Sequence, residues 1–197
     1  MALIHLIWIV PLFILLAYLL SPRFRGDIAE TRVRRILAQG LESNRYTVLN
    51  HIVIPSGGGT IAIDHVIVSR FGVFVIESIH LPGHVHATEQ MAQWKRRRFG
   101  RTVKFDNPYH ANQVQAEALG RLLGMSARFM HTFVVCDGAD TIKGDPPANL
   151  VRPERLVREI RRRGQLLLEP EQTARALRDI RDAHIETRRG FIKARSW

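Results

Sequence analysis

Ile63-Asp64-His65-Val66-Ile67-Val68-Ser69, followed across Arg70-Phe71 by Gly72-Val73-Phe74-Val75-Ile76-Glu77-Ser78-Ile79, is the stretch that decides the fold. Both runs are rich in β-branched residues. The link at Arg70-Phe71-Gly72 is too short for a crossover, so the two strands must lie antiparallel. Each run carries one acid in an apolar setting, which is costly unless the acid has a partner. Strand alternation predicts Ile63 and His65 on one face with Asp64 on the other. It likewise predicts that Glu77 and Ile79 share a face opposite Ser78 and His80. If Asp64 and Glu77 point to the same side, they form a dicarboxylate site for a hard cation such as Mg2+. Glu30, on a preceding helix, would close that site. Otherwise each acid pairs with an arginine or caps a strand end.

Working outward, Tyr46 to Ile54 is a further strand, joined to the strand Thr60 to Ser69 by the turn Pro55-Ser56-Gly57-Gly58-Gly59. The three strands form one meander. Ser56 to Thr60 is glycine-rich but lacks the Lys-Ser/Thr of a phosphate-binding loop. Before the meander, Ile28, Val33, Ile36 and Leu37 recur at helical spacing from Gly26 to Gln39. After it, His84 to Phe105 reads as short strands or a hairpin around Phe99-Gly100-Arg101. Helices are predicted from Pro108 to about Leu123, from Pro153 to Arg163 and from Pro170 to about Thr187, with a strand from Arg128 to Cys136 and a loop from Ala139 to Leu150. The order predicts an α/β fold in which helices flank a mixed sheet.

Residues 1–21 contain no Asp, Glu, Lys or Arg, and Leu3 to Leu20 is apolar apart from His5 and Pro11. About 18–20 such residues span a bilayer core. The run has no basic segment before it and no small-residue cleavage site after it, so it reads as an uncleaved anchor rather than a signal peptide. Arg23 and Arg25 follow it directly, which places the remaining chain on the cytoplasmic side of an inner membrane. The predicted organisation is an anchor over 1–21, a central domain over 22–137 and a helical extension over 138–197. The chain of 197 residues carries a net charge of +11, and 25 of its 29 basic residues are arginine. Arginine matches phosphate geometry, so the balance suits nucleic acid or anionic lipid. The single cysteine, Cys136, excludes an intrachain disulfide and a cysteine cage for zinc.

The sequence resembles the nuclease-related domain (NERD) family, within the PD-(D/E)XK nuclease-like superfamily. The matching residues are Gly26 and Glu30, Tyr46 to Asn50, Ile63 to Ser69, Gly72 to Glu77, Gly83, Trp94, Asn107-Pro108 and Gln113. The resemblance implies a restriction-endonuclease-like core with Glu30, Asp64 and Glu77 as its acidic cluster. It also implies Mg2+ held by Asp64 and Glu77 for phosphodiester hydrolysis of nucleic acid. Gln113 would be the polar helix residue near the site, with Asn112 and Gln115 as alternatives in neighbouring register. The family's Glu-x-Lys reads Glu77-Ser78-Ile79 here. Isoleucine cannot steady the attacking water or the developing charge, and losing such a donor costs about 10²–10³ in rate. Lys95 is the nearest lysine in sequence. The expectation is therefore an impaired nuclease, or an inactive membrane-tethered module that binds nucleic acid or serves as a scaffold.

Two further features stand out. Lys95, Arg96, Arg97, Arg98 and Arg101 flank Trp94 and Phe99, a pattern that tracks a phosphate backbone while an aromatic stacks on a base. It also fits a hairpin edge guarded by charge. Arg161-Arg162-Arg163 ends a helix, where cations complement the macrodipole. His80, His84 and His86 lack the spacing and companion ligands that zinc needs.

Overall fold

The computed structural model describes residues 22–184, with side chains from 28 onward. The apolar run from Leu3 to Leu20 lies outside the described residues. Among those described, no helix is long and apolar enough to cross a membrane.

Helix α1 (Pro22–Gly40) leads into strands β1 (Tyr46–Ser56), β2 (Gly59–Ser69) and β3 (Gly72–Thr88), which form the expected antiparallel meander. Strands β4 (Gln93–Arg98) and β5 (Arg101–Asp106) make a hairpin, followed by helix α2 (Pro108–Leu123). Strand β6 (Met130–Asp145) runs parallel to β3, and the short β7 (Leu150–Val151) runs parallel to β6. Helices α3 (Pro153–Arg161) and α4 (Pro170–Ala183) complete the described chain. The architecture is α/β, a mixed sheet flanked by helices. Strand β3 is its spine, bordered by β6 along one edge and by β2 and then β4 along the other.

Two strands are longer than expected. β3 continues past Ile79 to Thr88, and β6 crosses the predicted loop to Asp145. Pro82 and Gly83 look like strand breakers in sequence. Here the β3–β6 register shifts on either side of Gly83, which itself stays paired with Ala139, and these irregularities carry the strand past both residues. The two strands support each other through a long parallel pairing, which no local signal encodes.

One face of the sheet packs on α2 and α4 through Ile52, Val66, Val75, Leu119 and Ile180. The other packs on α1 and α3 through Val33, Leu37, Ile67, Phe74, Leu156 and Ile160. A third cluster lies under the hairpin, where Trp94 is 1% exposed and donates its indole N–H to the Thr88 carbonyl at 2.9 Å. Burying so large a ring fixes the hairpin base by about 1.5–3 kcal/mol. Asn107 caps α2 by accepting from the Tyr109 N–H, and its amide donates to the carbonyls of Thr88, Glu89 and Met91. The Asn107-Pro108 pair thus starts the helix and ties the end of β3 to it.

Candidate active site

The β1–β2 register runs through Asn50↔His65 and Ile52↔Ile63, which leaves His51 opposite Asp64. The β2–β3 ladder ends at His65↔Ile76, one step short of Asp64 and Glu77, and Glu77 faces Val134 of β6. A single rung therefore crosses the sheet through His51, Asp64, Glu77 and Val134, and the ladder opens at that rung. His51 has φ +54°, in the left-handed region that side chains rarely occupy. Leu49, Val66 and Val68 face the same helices as Ile52, Ile54 and Ile63. The alternation has thus slipped by one residue on both strands across the rung. The expectation that Ile63 and His65 share a face fails for this reason.

At this opening Asp64 Oδ2 accepts the Ser78 N–H at 2.9 Å. A side chain thereby satisfies a backbone donor where the strands part. Glu77 Oε2 accepts from Gln115 Nε2 at 2.8 Å, and the same amide reaches the Ala62 carbonyl at 3.2 Å. Asn112 donates to the Val75 carbonyl and to Gln115 Oε1, which holds the glutamine in place. From α1, Glu30 Oε1 lies 2.8 Å from His51 Nδ1. Glu30 thus engages the β1 end of the rung, while Asp64 and Glu77 occupy its centre. Asp64 and Glu77 are 3% and 4% exposed.

The glutamine at the site is Gln115. Gln113 points elsewhere and donates to Thr132 Oγ1 at 3.2 Å. The buried stripe of α2 is Asn112, Gln115, Ala116, Leu119 and Leu123, at helical spacing, and Gln113 lies off it. That periodicity was the signal available in sequence.

Among the described residues, no three His, Cys, Asp or Glu side chains close into a ready-made metal cage. The donor set nonetheless fits a hard divalent cation. Two buried carboxylates sit on one rung, and their partners include two neutral donors, the Ser78 N–H and the Gln115 amide. On α2, Asn112 Oδ1, next to Gln115 on the buried stripe, has no hydrogen-bond partner among the described residues. Oxygen donors of this kind suit Mg2+ or Mn2+ rather than zinc.

Among the described residues, no lysine lies beside the acids: Lys143 pairs with His86 and Lys104 with Lys95. Ile79 is half-buried and packs on the cluster of Leu81, Val85 and Cys136. Lys95 pairs with His86, nine positions along β3 from Glu77. At about 3.3 Å per residue that is roughly 25–30 Å, which removes Lys95 as a substitute. Lys95, Arg96, Arg97, Arg98 and Arg101 all lie on the β4–β5 hairpin, far along β3 from the acids. On the α1 side, His80 Nδ1 lies 3.1 Å from Asp137 Oδ2, and Arg32 Nη1 lies 2.5 Å from Asp137 Oδ1. The sequence reading missed this cluster because only the parallel register sets His80 beside Asp137. Burial pushes the Cys136 thiol up to about 12, so it is not a nucleophile at neutral pH.

A family model described as "Nuclease-related domain" matches residues 25–136, more than half of the chain. The chain belongs to the nuclease-related domain family. It is 31% identical over 103 residues to an uncharacterized protein of Bacillus anthracis, a match covering 52% of this chain and 48% of that protein. No solved structure gives a significant match. Within the matched region lie Glu30, Asp64, Glu77 and Gln115, together with the hairpin from Gln93 to Asp106.

Proposed function

We propose that this protein is a divalent-metal-dependent phosphodiesterase acting on nucleic acid, slowed by the loss of its motif lysine. The reading is carried by one observation: two buried carboxylates, Asp64 and Glu77, stand at facing register positions where the ladder opens, in a chain of the nuclease-related domain family. Asp64 and Glu77 would hold Mg2+, with Glu30 in support through His51. When bound, such an ion supplies Lewis acidity that activates water and offsets charge on phosphorus. The Gln115 amide orients the Glu77 carboxylate, and the Ser78 N–H orients Asp64, so neither must reorganise. At Ile79 no donor faces the developing charge, a cost of about 10²–10³ in rate.

A nuclease assay with Mg2+ or Mn2+ on linear DNA and on RNA tests this reading beside Asp64→Ala and Ile79→Lys. Metal-dependent cleavage lost in Asp64→Ala is the expected result, with a gain in Ile79→Lys. Ile79 packed against apolar neighbours favours the second reading, a module that kept the fold and lost the chemistry. Salt-sensitive binding with no cleavage in any variant would establish it.

The proposal places the protein at the inner membrane, held by the apolar segment from Leu3 to Leu20 with the remainder in the cytoplasm. Full-length protein should resist carbonate extraction. Its release into the soluble fraction would sink the anchor.

A further inference from the structure

The β4–β5 hairpin has a composition that its own stability does not explain. From Gln93 to Asp106 it holds six cations and one acid. The register sets Lys95 directly opposite Lys104 and Arg98 directly opposite Arg101. Like charges facing across a ladder destabilise it. Among the described residues, none of Lys95, Arg97, Arg98, Arg101 and Lys104 forms an ion pair, whereas arginines elsewhere do. Guarding an open edge is an insufficient reason. The open edge belongs to β5, yet four of the six cations lie on β4, which Arg97 to Lys95 join to β3 on one side and β5 on the other.

The tip adds a second observation. Phe99 and Gly100 make the turn with φ +49° and +73°, and the Phe99 ring is 88% exposed. An aromatic ring at a hairpin tip normally gains by burial, and this one is held out in a strained backbone conformation. The Arg98 guanidinium lies 4.7 Å from its centroid. Beneath the tip is an open cavity of about 520 Å3 lined by Gly83, His84, Arg97, Arg98, Phe99 and Asp140. Gly83 permits the close approach, since a Cβ there would meet the Arg97 carbonyl at 2.5 Å.

We infer that the β4–β5 hairpin is an arm for unpaired nucleic acid, with backbone phosphates in the cavity on Arg97 and Arg98 and a base stacked on Phe99. The chemistry selects single strands. A base inside a duplex already has both faces covered, whereas an unpaired base offers its face to an exposed ring. The arginines attract phosphate whatever the sequence. The arm lies seven residues along β3 from Glu77, roughly 20 Å, so it captures substrate at a distance from the acids. The inference rests on the functional reading above only in taking nucleic acid as the partner.

The test uses the full chain in a nonionic detergent with a metal chelator present, so that binding is read separately from any chemistry. The probes are fluorescent 20-nucleotide oligothymidine and oligouridine, and a blunt duplex of equal length. Single strands should bind at least fivefold tighter than the duplex. Phe99→Ala should weaken single-strand binding about tenfold and leave duplex binding unchanged. Arg97→Ala with Arg98→Ala should reduce the slope of log affinity against log salt by about 1.4. Equal or tighter duplex binding, or an unaffected Phe99→Ala, would overturn the inference. So would a result in which phosphatidylserine, presented in mixed micelles of the same detergent, competes and loses affinity in the same variants, since the arm would then serve a lipid surface. If the arm binds single strands and no variant cleaves with Mg2+, the arm stands and the phosphodiesterase reading falls.

Discussion

The β4–β5 arm carries Arg96-Arg97-Arg98, and the C-terminal end of α3 opens a second run of three, Arg161-Arg162-Arg163. At the end of α3 two of the three charges are spent within the fold. Arg161 reaches Glu42 at 3.0 Å and the Gly40 carbonyl at 2.8 Å, closing the C-terminal end of α1, and Arg162 meets Glu159. These cations also sit where a helix end is negative, as the sequence pattern predicts. On the arm, Arg97 and Arg98 form no ion pair among the described residues, although Asp140 lines the same cavity, and Arg98 faces Arg101. Identical residue types thus serve cohesion in one place and stand ready for an outside anion in the other. The difference lies in what the fold brings opposite them.

The largest effect that would break this contrast is on binding. Arg97→Glu with Arg98→Glu should weaken binding of a single-stranded oligonucleotide by about 10² at low salt, through loss of phosphate contacts and added repulsion. Arg161→Glu with Arg162→Glu should change it less than threefold under the same titration. Equal losses from both pairs would mean that bulk charge, rather than the arm, attracts the ligand.

Next in size is the seat of the arm. Gly83 has φ +109°, and an added Cβ meets backbone at 2.5 Å. Gly83→Ala should cost about 1–3 kcal/mol in thermal or denaturant unfolding and lower oligonucleotide affinity with it. Unchanged stability would show that β4 does not need that close approach.

Smaller is the cohesive arginine. Arg161→Ala should destabilise by about 0.5–1 kcal/mol, because the pair with Glu42 is half-exposed and screened. The sharpest contrast is Lys104→Glu, which replaces a like-charge pair with an attractive one opposite Lys95. It should stabilise the protein by about 0.2–1 kcal/mol while weakening oligonucleotide binding. A cohesive cation cannot show that opposition of signs.

The smallest effect concerns pH in the region common to both faces. Burial lowers the His131 pKa, despite its hydrogen bond to the Phe71 carbonyl. The folded state then holds His131 neutral while the unfolded state protonates near the ordinary value of about 6.5. Its contribution is present above that pH and is lost as pH falls through the lower folded value. Denaturant midpoints from pH 7.5 to 5 should fall more for the wild type than for His131→Gln. Parallel curves would remove His131 as the cause.

Much of this molecule was legible without coordinates. The meander follows from two short turns between β-branched runs, and the starts of α2, α3 and α4 are marked by Pro108, Pro153 and Pro170. The hairpin around Phe99-Gly100 was legible for the same reason. Such signals are local, because backbone sterics and periodicity act within a few residues. The acids were legible as anomalies, since Asp64 and Glu77 stand in apolar runs. Their partners were not legible. Gln115 was one of three candidates until the rotation of α2 turned it toward Glu77 and turned Gln113 toward Thr132.

The sequence by itself determined the centre of each main strand and helix, where charge accumulates, and that Ile79 stands where the resemblance implies a lysine. Tertiary structure alone decided that Glu30 meets His51, that strand alternation slips at the rung of Asp64, and that β3 and β6 extend each other past Pro82. It also decided which arginines are spent on acids and which are left facing one another. Secondary structure is set by neighbours in the chain. The pairing of side chains is set by strand order and helix rotation, which join residues tens of positions apart.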